Sequence, residues 1–431
     1  MSPGPHDPAA TSPPSPDREA RNNAATAASA ASVRALSAQL VAFYFRAPAK
    51  AFFRTRVDYL AYARTVHDAQ TKALPAAGES QTAKDFARHA WLWLRGTTPG
   101  VLASAIRHEG WGVVPHQILP PLLANVGVGA VLYTSYLHVL GTLHHESAKA
   151  SKRVYPPPPP LATFTAGLLA GGLQSLVAAP LDALQARYDH RHLMSGQTRR
   201  PRSMWSFGAD KLREIGLGGV FAGWGLSFAK DSLGSAVFFS TFEYIKAQGY
   251  YRFVTWYYGS LGKDIVDMLA MKRPLHHHGD KDGAKTIIRP HYAIEPIFLL
   301  CAGISGSFAQ QVIVHPLTHF QIKHWDHLED LDAKAARYRE SRRQQLPRRR
   351  WRMMRAYYHA YQETWAACAS EAAAQGQSTL RWLYRGFWWN AVRQVPSTSA
   401  GLIIFELIRR KYGYGAEQVC ITKDGYDILL T

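Results

Sequence analysis

The chain has 431 residues, 47% of them hydrophobic and 12% aromatic, and its 50 Lys and Arg against 31 Asp and Glu give a formal charge of +19. That excess calls for an anionic partner or surface, and long apolar runs without a recognised nucleic-acid module favour a membrane protein with basic loops over a nucleic-acid binder. Three widely spaced cysteines, Cys301, Cys368 and Cys420, with no CxxC pair, support neither a disulfide framework nor a zinc site and read as reduced thiols.

In chain order, residues 1–31 are rich in Pro, Ser and Ala and suit a disordered tail. Asp7, Asp17 and Glu19 argue against a cleaved organellar presequence, and no secretory h-region follows, so targeting information is expected in the body. Six stretches then read as membrane helices, at 32–64, 118–143, 161–189, 220–253, 297–324 and 387–412. None is an uninterrupted run of about 20 apolar residues, and most hold one or two charged or amide side chains, such as Lys230, Asp231 or Arg393. Polar groups at that depth are costly unless they face a bundle interior or a wet cavity. Six spans around a water-filled cavity therefore fit better than separate anchors; a soluble all-helical protein is the alternative.

Polar connectors separate the spans. Residues 145–160 end in a stiff polyproline stretch from Pro156 to Pro160. The connector 254–294 holds His276, His277 and His278, which read as a solvated loop because no other metal ligand set is evident. A long basic insertion, about residues 325–381, contains helical stretches. It reads equally as a solvated charged helix or as one lying on an anionic membrane, with Trp351, Met353 and Met354 dipping in. Residues 413–431 form a C-terminal tail.

The segments repeat. "LLAGGLQSLVAAPLDALQARYD" and "AGISGSFAQQVIVHPLTHFQIKHW" share the order small residues, apolar stretch, proline, polar positions, with Gln185 and Gln321 at one offset and Arg187 and Lys323 at another. "LSAQLVAFYFRAPAKAFFRTRVDYL" is a weaker first copy, with Pro48, Arg54 and Arg56. Each is followed by a second element. "GGVFAGWGLSFAKDSLGSAVFFSTFEYIK" parallels "RWLYRGFWWNAVRQVPSTSAGLIIFELIRR" in its aromatic–x–Gly start, its inner base (Lys230 or Arg393) and its closing Phe-Glu-x-x-base. The first copy keeps Gly110 and Gly112 but ends in Leu137 and Leu140. Such self-similarity identifies an architecture before any single motif does.

On these motifs the chain resembles the mitochondrial carrier family. "PLDALQAR" and "FEYIK" match its signatures closely, "PLTHFQIK" partly and "APAKAFFRTR" poorly. The resemblance implies an all-α membrane protein: a six-helix bundle of three pseudo-threefold repeats (32–144, 161–253 and 295–412) with short amphipathic matrix-side helices. It implies that Pro180 and Pro316 kink odd helices to close the cavity floor. It places a matrix gate at Pro180, Asp182, Gln185, Pro316, Thr318, Gln321 and Arg54, and a cytosolic gate at Glu243, Lys246, Glu406 and Arg409.

The chain departs from the family at the matrix gate. Only Asp182 keeps the acid position and amides stand at two base positions, so Asp182 is expected to accept a hydrogen bond from Gln321 rather than to join a ring of salt bridges. Glu243 with Arg409, or Lys246 with Glu406, remain possible pairs on the other face. Solute contacts are expected at Lys230, Asp231, Arg393 and Asn125. An arginine fork for a carboxylate and an aspartate for an ammonium suggest an amino-acid- or carnitine-like solute; the alternative is that Lys230 and Asp231 neutralise each other inside the bundle.

No nucleophile elbow, HExxH or Walker loop supports catalysis. The expectation is a monomeric, multi-pass, non-enzymatic solute carrier of the mitochondrial inner membrane, or the outer as alternative. It needs no cofactor or metal and no nucleic acid, and it binds anionic, cardiolipin-like lipids. The runner-up is a degenerate carrier acting without transport as a scaffold or morphology/fusion factor.

Overall fold

The structure, a computed structural model, describes residues 119–148, 154–194, 223–272, 286–341, 349–392, 419–423 and 426–430, with isolated positions between 103 and 115 and between 209 and 221. Expected span 32–64, Arg54, Arg393, Glu406, Arg409 and the histidine tract at 276–278 lie outside the described residues. So do the side chains of Gln185, Trp351, Met353 and Met354.

The helices are α1 (Leu119–Leu143), α2 (Pro160–Met194), α3 (Trp224–Glu243), α4 (Tyr250–Tyr258), α5 (Lys263–Lys272), α6 (Ile294–Ser341), α7 (Arg349–Ala374) and the short α8 (Thr379–Leu383). A single helical turn, His145–Ala148, follows α1, and a π-helical stretch, Tyr244–Gly249, joins α3 to α4. Among the described residues three helices are long and apolar enough to cross a membrane: Leu123–Leu143, Pro160–Ala183 and Ile294–Trp325. With 48 residues, α6 is about 70 Å long, more than twice a hydrocarbon core of about 30 Å. Its charged second half, from Asp326 on, therefore projects beyond the apolar stretch.

Small residues set the helix packing. A Cβ built on Gly167 would lie 2.7 Å from the Ser235 carbonyl oxygen, and one on Gly171 2.4 Å from that of Asp231, so α2 and α3 touch backbone to backbone. Gly167 and Gly171, one turn apart, together form this contact. On α6 the near approach falls at Gly306, 3.3 Å by the same measure from the Phe238 oxygen, while Ser307 turns its hydroxyl back to the Gly303 carbonyl at 2.6 Å. In lipid there is little hydrophobic drive between helices, so such close contact carries much of the association. Towards the linker end of the bundle, Tyr133, Tyr136 and Leu140 of α1 pack with Ala166 and Ala170 of α2 and Phe238, Phe239 and Phe242 of α3. Tyr136 stacks on Phe239 with centroids 3.7 Å apart.

The polyproline linker is docked rather than free. Gln248 donates to the Pro158 carbonyl at 3.0 Å, Tyr251 to that of Val154 at 3.1 Å, and Ser240 to that of Pro160 at 3.3 Å. This ties the start of α2 to the end of α3 and its π-helical continuation.

Both internal prolines sit inside continuous helices. Pro316 cannot donate to the carbonyl four residues earlier, that of Val312. The Tyr384 hydroxyl donates to that carbonyl instead, at 2.7 Å. Left-handed glycines mark the starts of the repeated second elements: Gly110 (φ 81°), Gly223 (φ 77°) and Gly386 (φ 75°), a region that glycine enters without the Cβ penalty.

Two expectations are corrected. The described residues are not all helical. Strands β1 (Thr286–Ile288), β2 (Val419–Lys423) and β3 (Tyr426–Leu430) form a sheet ordered β1-β3-β2, with β1 parallel and β2 antiparallel to β3. Alternation explains it. Tyr426, Ile428 and Leu430 point one way, onto Tyr250, Val254, Tyr258 and Val266 of α4 and α5, joined by Ile288. The C-terminal tail thus clasps the connector after the fourth span. The second correction concerns the far half of the insertion, which is not merely solvated. The second half of α7 is packed on α6 by Cys368 and Ala372, with Phe320, Trp382 and Leu383 around them.

Candidate functional site

The interface of α3 and α6 carries a row of polar side chains. Lys230 of α3 donates to the Gln321 amide oxygen at 2.5 Å, and the Gln321 nitrogen donates to the Ser227 hydroxyl at 2.6 Å. Gln321 is 1% exposed and Ser227 2%, so this junction is sealed between the helices. One turn further along, Gln310 donates to the Gly234 carbonyl at 3.1 Å. Helical spacing explains the row: Ser227, Lys230 and Gly234 are three and four residues apart and so share a face.

This arrangement joins two roles that the sequence kept apart. Lys230, a candidate solute contact, is held by Gln321, a candidate gate residue. The Gln321 amide turns to α3, to Lys230 and Ser227, and not to Asp182. Asp182 is buried on α2 and Asp231 on α3, where its backbone adjoins Gly171. Thr318, at the vacant acid position, donates to the Val314 carbonyl of its own helix at 2.7 Å, as a hydroxyl inside a helix commonly does. Asn125 lies buried on α1. On the opposite face Glu243 and Lys246 pair with each other at 3.0 Å, and Lys246 also sits over the Phe242 ring, 5.4 Å from its centroid.

A second polar cluster escaped the sequence reading. His315 bonds to the Arg385 carbonyl through Nε2 at 3.1 Å and meets the Asn390 amide nitrogen through Nδ1 at 3.2 Å; Asn390 also donates to Gln311 at 3.4 Å. An amide nitrogen can only donate, so Nδ1 accepts and Nε2 carries the proton to the carbonyl. The residue before Pro316 is thereby fixed to the stretch that follows α8, at Arg385 and Asn390. The adjacent signal, "HPLTH", points in the sequence to Pro316 and Thr318 and not to its histidines.

Among the described residues these groups are donors, acceptors and opposed charges held inside a helical bundle. Among the described residues no three His, Cys, Asp or Glu side chains come together as a metal site.

The family model described as mitochondrial carrier protein matches residues 156–251, from the polyproline linker through α2 and α3 into α4. A mitochondrial thiamine pyrophosphate carrier of Vanderwaltozyma polyspora is 30% identical over 156 residues, covering 35% of this chain and 50% of that protein. A mitochondrial glutathione transporter of Danio rerio is 24% identical over 155 residues (34% and 40%), and a mitochondrial thiamine pyrophosphate carrier of Aspergillus oryzae 28% over 152 (35% and 44%). The chain thus spans half or less of the length of these curated relatives. Across the linker, the proline-bearing helix and the glycine-led helix packed on it, residues 156–251 match the mitochondrial carrier family, which bears out there the resemblance read from the sequence.

Proposed function

We propose that the protein is a multi-pass solute carrier of a mitochondrial membrane, moving a small anionic organic solute by alternating access through six spans arranged as three repeats. The carrying observation is the buried Lys230–Gln321–Ser227 junction. A solute carboxylate or phosphate reaching Lys230 competes with the Gln321 oxygen for the ammonium, and a charged acceptor makes the stronger hydrogen bond. Release of Gln321 loosens α6 from α3 at the proline end. Binding and opening are then coupled through the same atoms, which supplies the differential affinity that a ligand needs to shift a two-state equilibrium. The three left-handed glycines at matching places, Gly110, Gly223 and Gly386, support the threefold repeat.

The relatives are named for thiamine pyrophosphate and glutathione, which gives no support to the narrower amino-acid- or carnitine-like expectation. Arg393, Asp231 and Asn125 complete the proposed solute contacts, the inner membrane is the proposed location, and a monomer in anionic, cardiolipin-like lipid is the proposed state. The test is exchange by purified protein in liposomes, with thiamine pyrophosphate, glutathione, nucleotides, carboxylates and amino acids as solutes. Saturable exchange of at least one anionic solute is expected, falling more than tenfold in Lys230→Ala. Absence of both exchange and a melting shift with every solute would reject transport and favour a non-transporting scaffold.

A further inference from the structure

We propose that the polyproline linker is a strap that makes the outer end of α3 the fixed jaw of the gate at the linker end of the bundle: Glu243 and Lys246 keep their place while the last repeat moves against them. This role rests on the carrier reading above. An extended polyproline chain makes no hydrogen bonds of its own, so its carbonyls can accept from side chains. Those of Val154 and Pro158, and of Pro160 at the linker's end, accept from Tyr251, Gln248 and Ser240 in turn. Linker and helix run in opposite directions. From Val154 to Pro160 an extended chain covers about 19 Å at about 3.1 Å per residue. From Ser240 to Tyr251 a helix covers about 16 Å at about 1.5 Å per residue. The linker therefore lies along the helix and brackets Glu243 and Lys246. Pro158 is buried there, and the Tyr155 ring meets Tyr251 edge to face with centroids 5.3 Å apart.

The π-helical stretch Tyr244–Gly249 supplies the register. Two α-turns take about 7.2 residues, and a π turn, closing one residue later, takes in about one more. Residues eight apart across the stretch therefore line up, where an uninterrupted α-helix would leave them about 80° apart. Ser240 and Gln248 are such a pair, both donating to the linker. Tyr244 and Arg252 are another: the Arg252 guanidinium lies 5.8 Å from the Tyr244 ring centroid and donates to its hydroxyl at 3.2 Å. Lys246, inside the stretch, is held 3.0 Å from Glu243, and both side chains are largely buried (13% and 14% exposed).

The same rod is gripped again beyond the stretch. Tyr250, Val254 and Tyr258 of α4 are buried with Ile288, Tyr426 and Ile428 of the sheet. Phe298, near the start of α6, meets Tyr250 and Phe253 with centroids 5.8 and 5.4 Å apart. On the bundle side of the strap, α2 and α3 touch backbone to backbone at Gly167 and Gly171. Swinging the outer end of α3 away from α2 would strip the linker bonds and these ring contacts together. The first repeat presents Leu137 and Leu140 at its gate positions, so the charged counterpart that moves is Glu406 and Arg409 of the last repeat.

The test uses the full-length protein. In a background lacking the three native cysteines, Pro158→Cys and Gln248→Cys are joined by a short reducible bismaleimide, and solute exchange is measured in liposomes. A strap that stays docked through the cycle predicts exchange within about twofold of the cysteine-free parent. A loss of about tenfold that reduction restores would mean that the linker must leave the helix in every cycle, and would overturn the proposal. A second arm releases the strap with Gln248→Ala and Tyr251→Phe together. In lipid nanodiscs hydrogen–deuterium exchange should rise several-fold at the amides of residues 244–251. In liposomes the maximal rate should fall about fivefold with the half-saturating solute concentration unchanged, because Lys246 is loosened and Lys230 is not. Wild-type amide protection, or a shifted half-saturating concentration at an unchanged maximal rate, would also overturn the strap. Faster amide exchange in a protein that moves no solute upholds the strap and rejects the transport reading, so the two can fail separately.

Discussion

A single hydrogen bond shows how residues correct one another here. Pro316 deprives the Val312 carbonyl of its helical partner, and the Tyr384 hydroxyl, 72 residues away, donates to it. Tyr384→Phe should therefore cost about 1 kcal/mol, the usual net worth of such a bond, seen as a melting temperature lowered by a few degrees in detergent. Gly171→Ala should do far more harm than Gly172→Ala. The first methyl meets the Asp231 backbone at 2.4 Å, whereas the second meets the far edge of the Phe228 ring at 3.0 Å, which can turn aside. Expression of folded protein and its melting temperature should separate them. The gate residues were readable as positions but not as partners: "PLTHFQIK" marks Gln321, yet only the approach of α3 decides that its amide serves Lys230 and Ser227 rather than Asp182.

At the scale of elements, α7 offers a measurable signature. Burial pushes the Cys368 thiol up from its ordinary range, with Glu371 adding to the shift, and burial likewise raises the Tyr361 hydroxyl, against the opposing pull of the Leu226 and Gly225 amides. Both groups hold their protons in the folded chain at a pH where the unfolded chain has begun to lose them. Their contribution is therefore constant below the unfolded thiol range and declines as pH rises through and above it. Melting temperature should fall with rising pH from about 8.5 upward, and Cys368→Ala should flatten the first part of that decline. A maleimide should label Cys420 and leave Cys368 unreacted at neutral pH, because only the former is exposed. The amphipathic spacing of α7 is present in its sequence. Its partner is not, since a stripe of apolar residues fits a bundle, a membrane surface or a second helix equally well.

For the whole molecule, the sheet and the docked linker act at one end of the bundle and α7 at the other. Deleting residues 419–431 removes β2 and β3 and uncovers Val254 and Ile288, which are at most 1% exposed in the intact fold. The truncated protein should show faster amide exchange in α4 and β1 and quicker proteolysis of the 259–290 connector, while peptides of α2 and α3 keep wild-type protection. The sequence by itself marked the three apolar helices that the described residues show as long enough to cross a membrane, with the prolines and glycines inside them, because a bilayer demands about 20 apolar residues per crossing and small residues wherever backbones touch. What only the tertiary structure decided were the pairings: Lys230 with Gln321, Lys323 with Glu371, Tyr361 with His324, and a C-terminal tail folded as strands. Periodicity states which face of an element is apolar or polar, but hydrogen bonds and ion pairs depend on which residues the chain brings within about 3 Å, and that distance is fixed by packing between segments far apart in sequence.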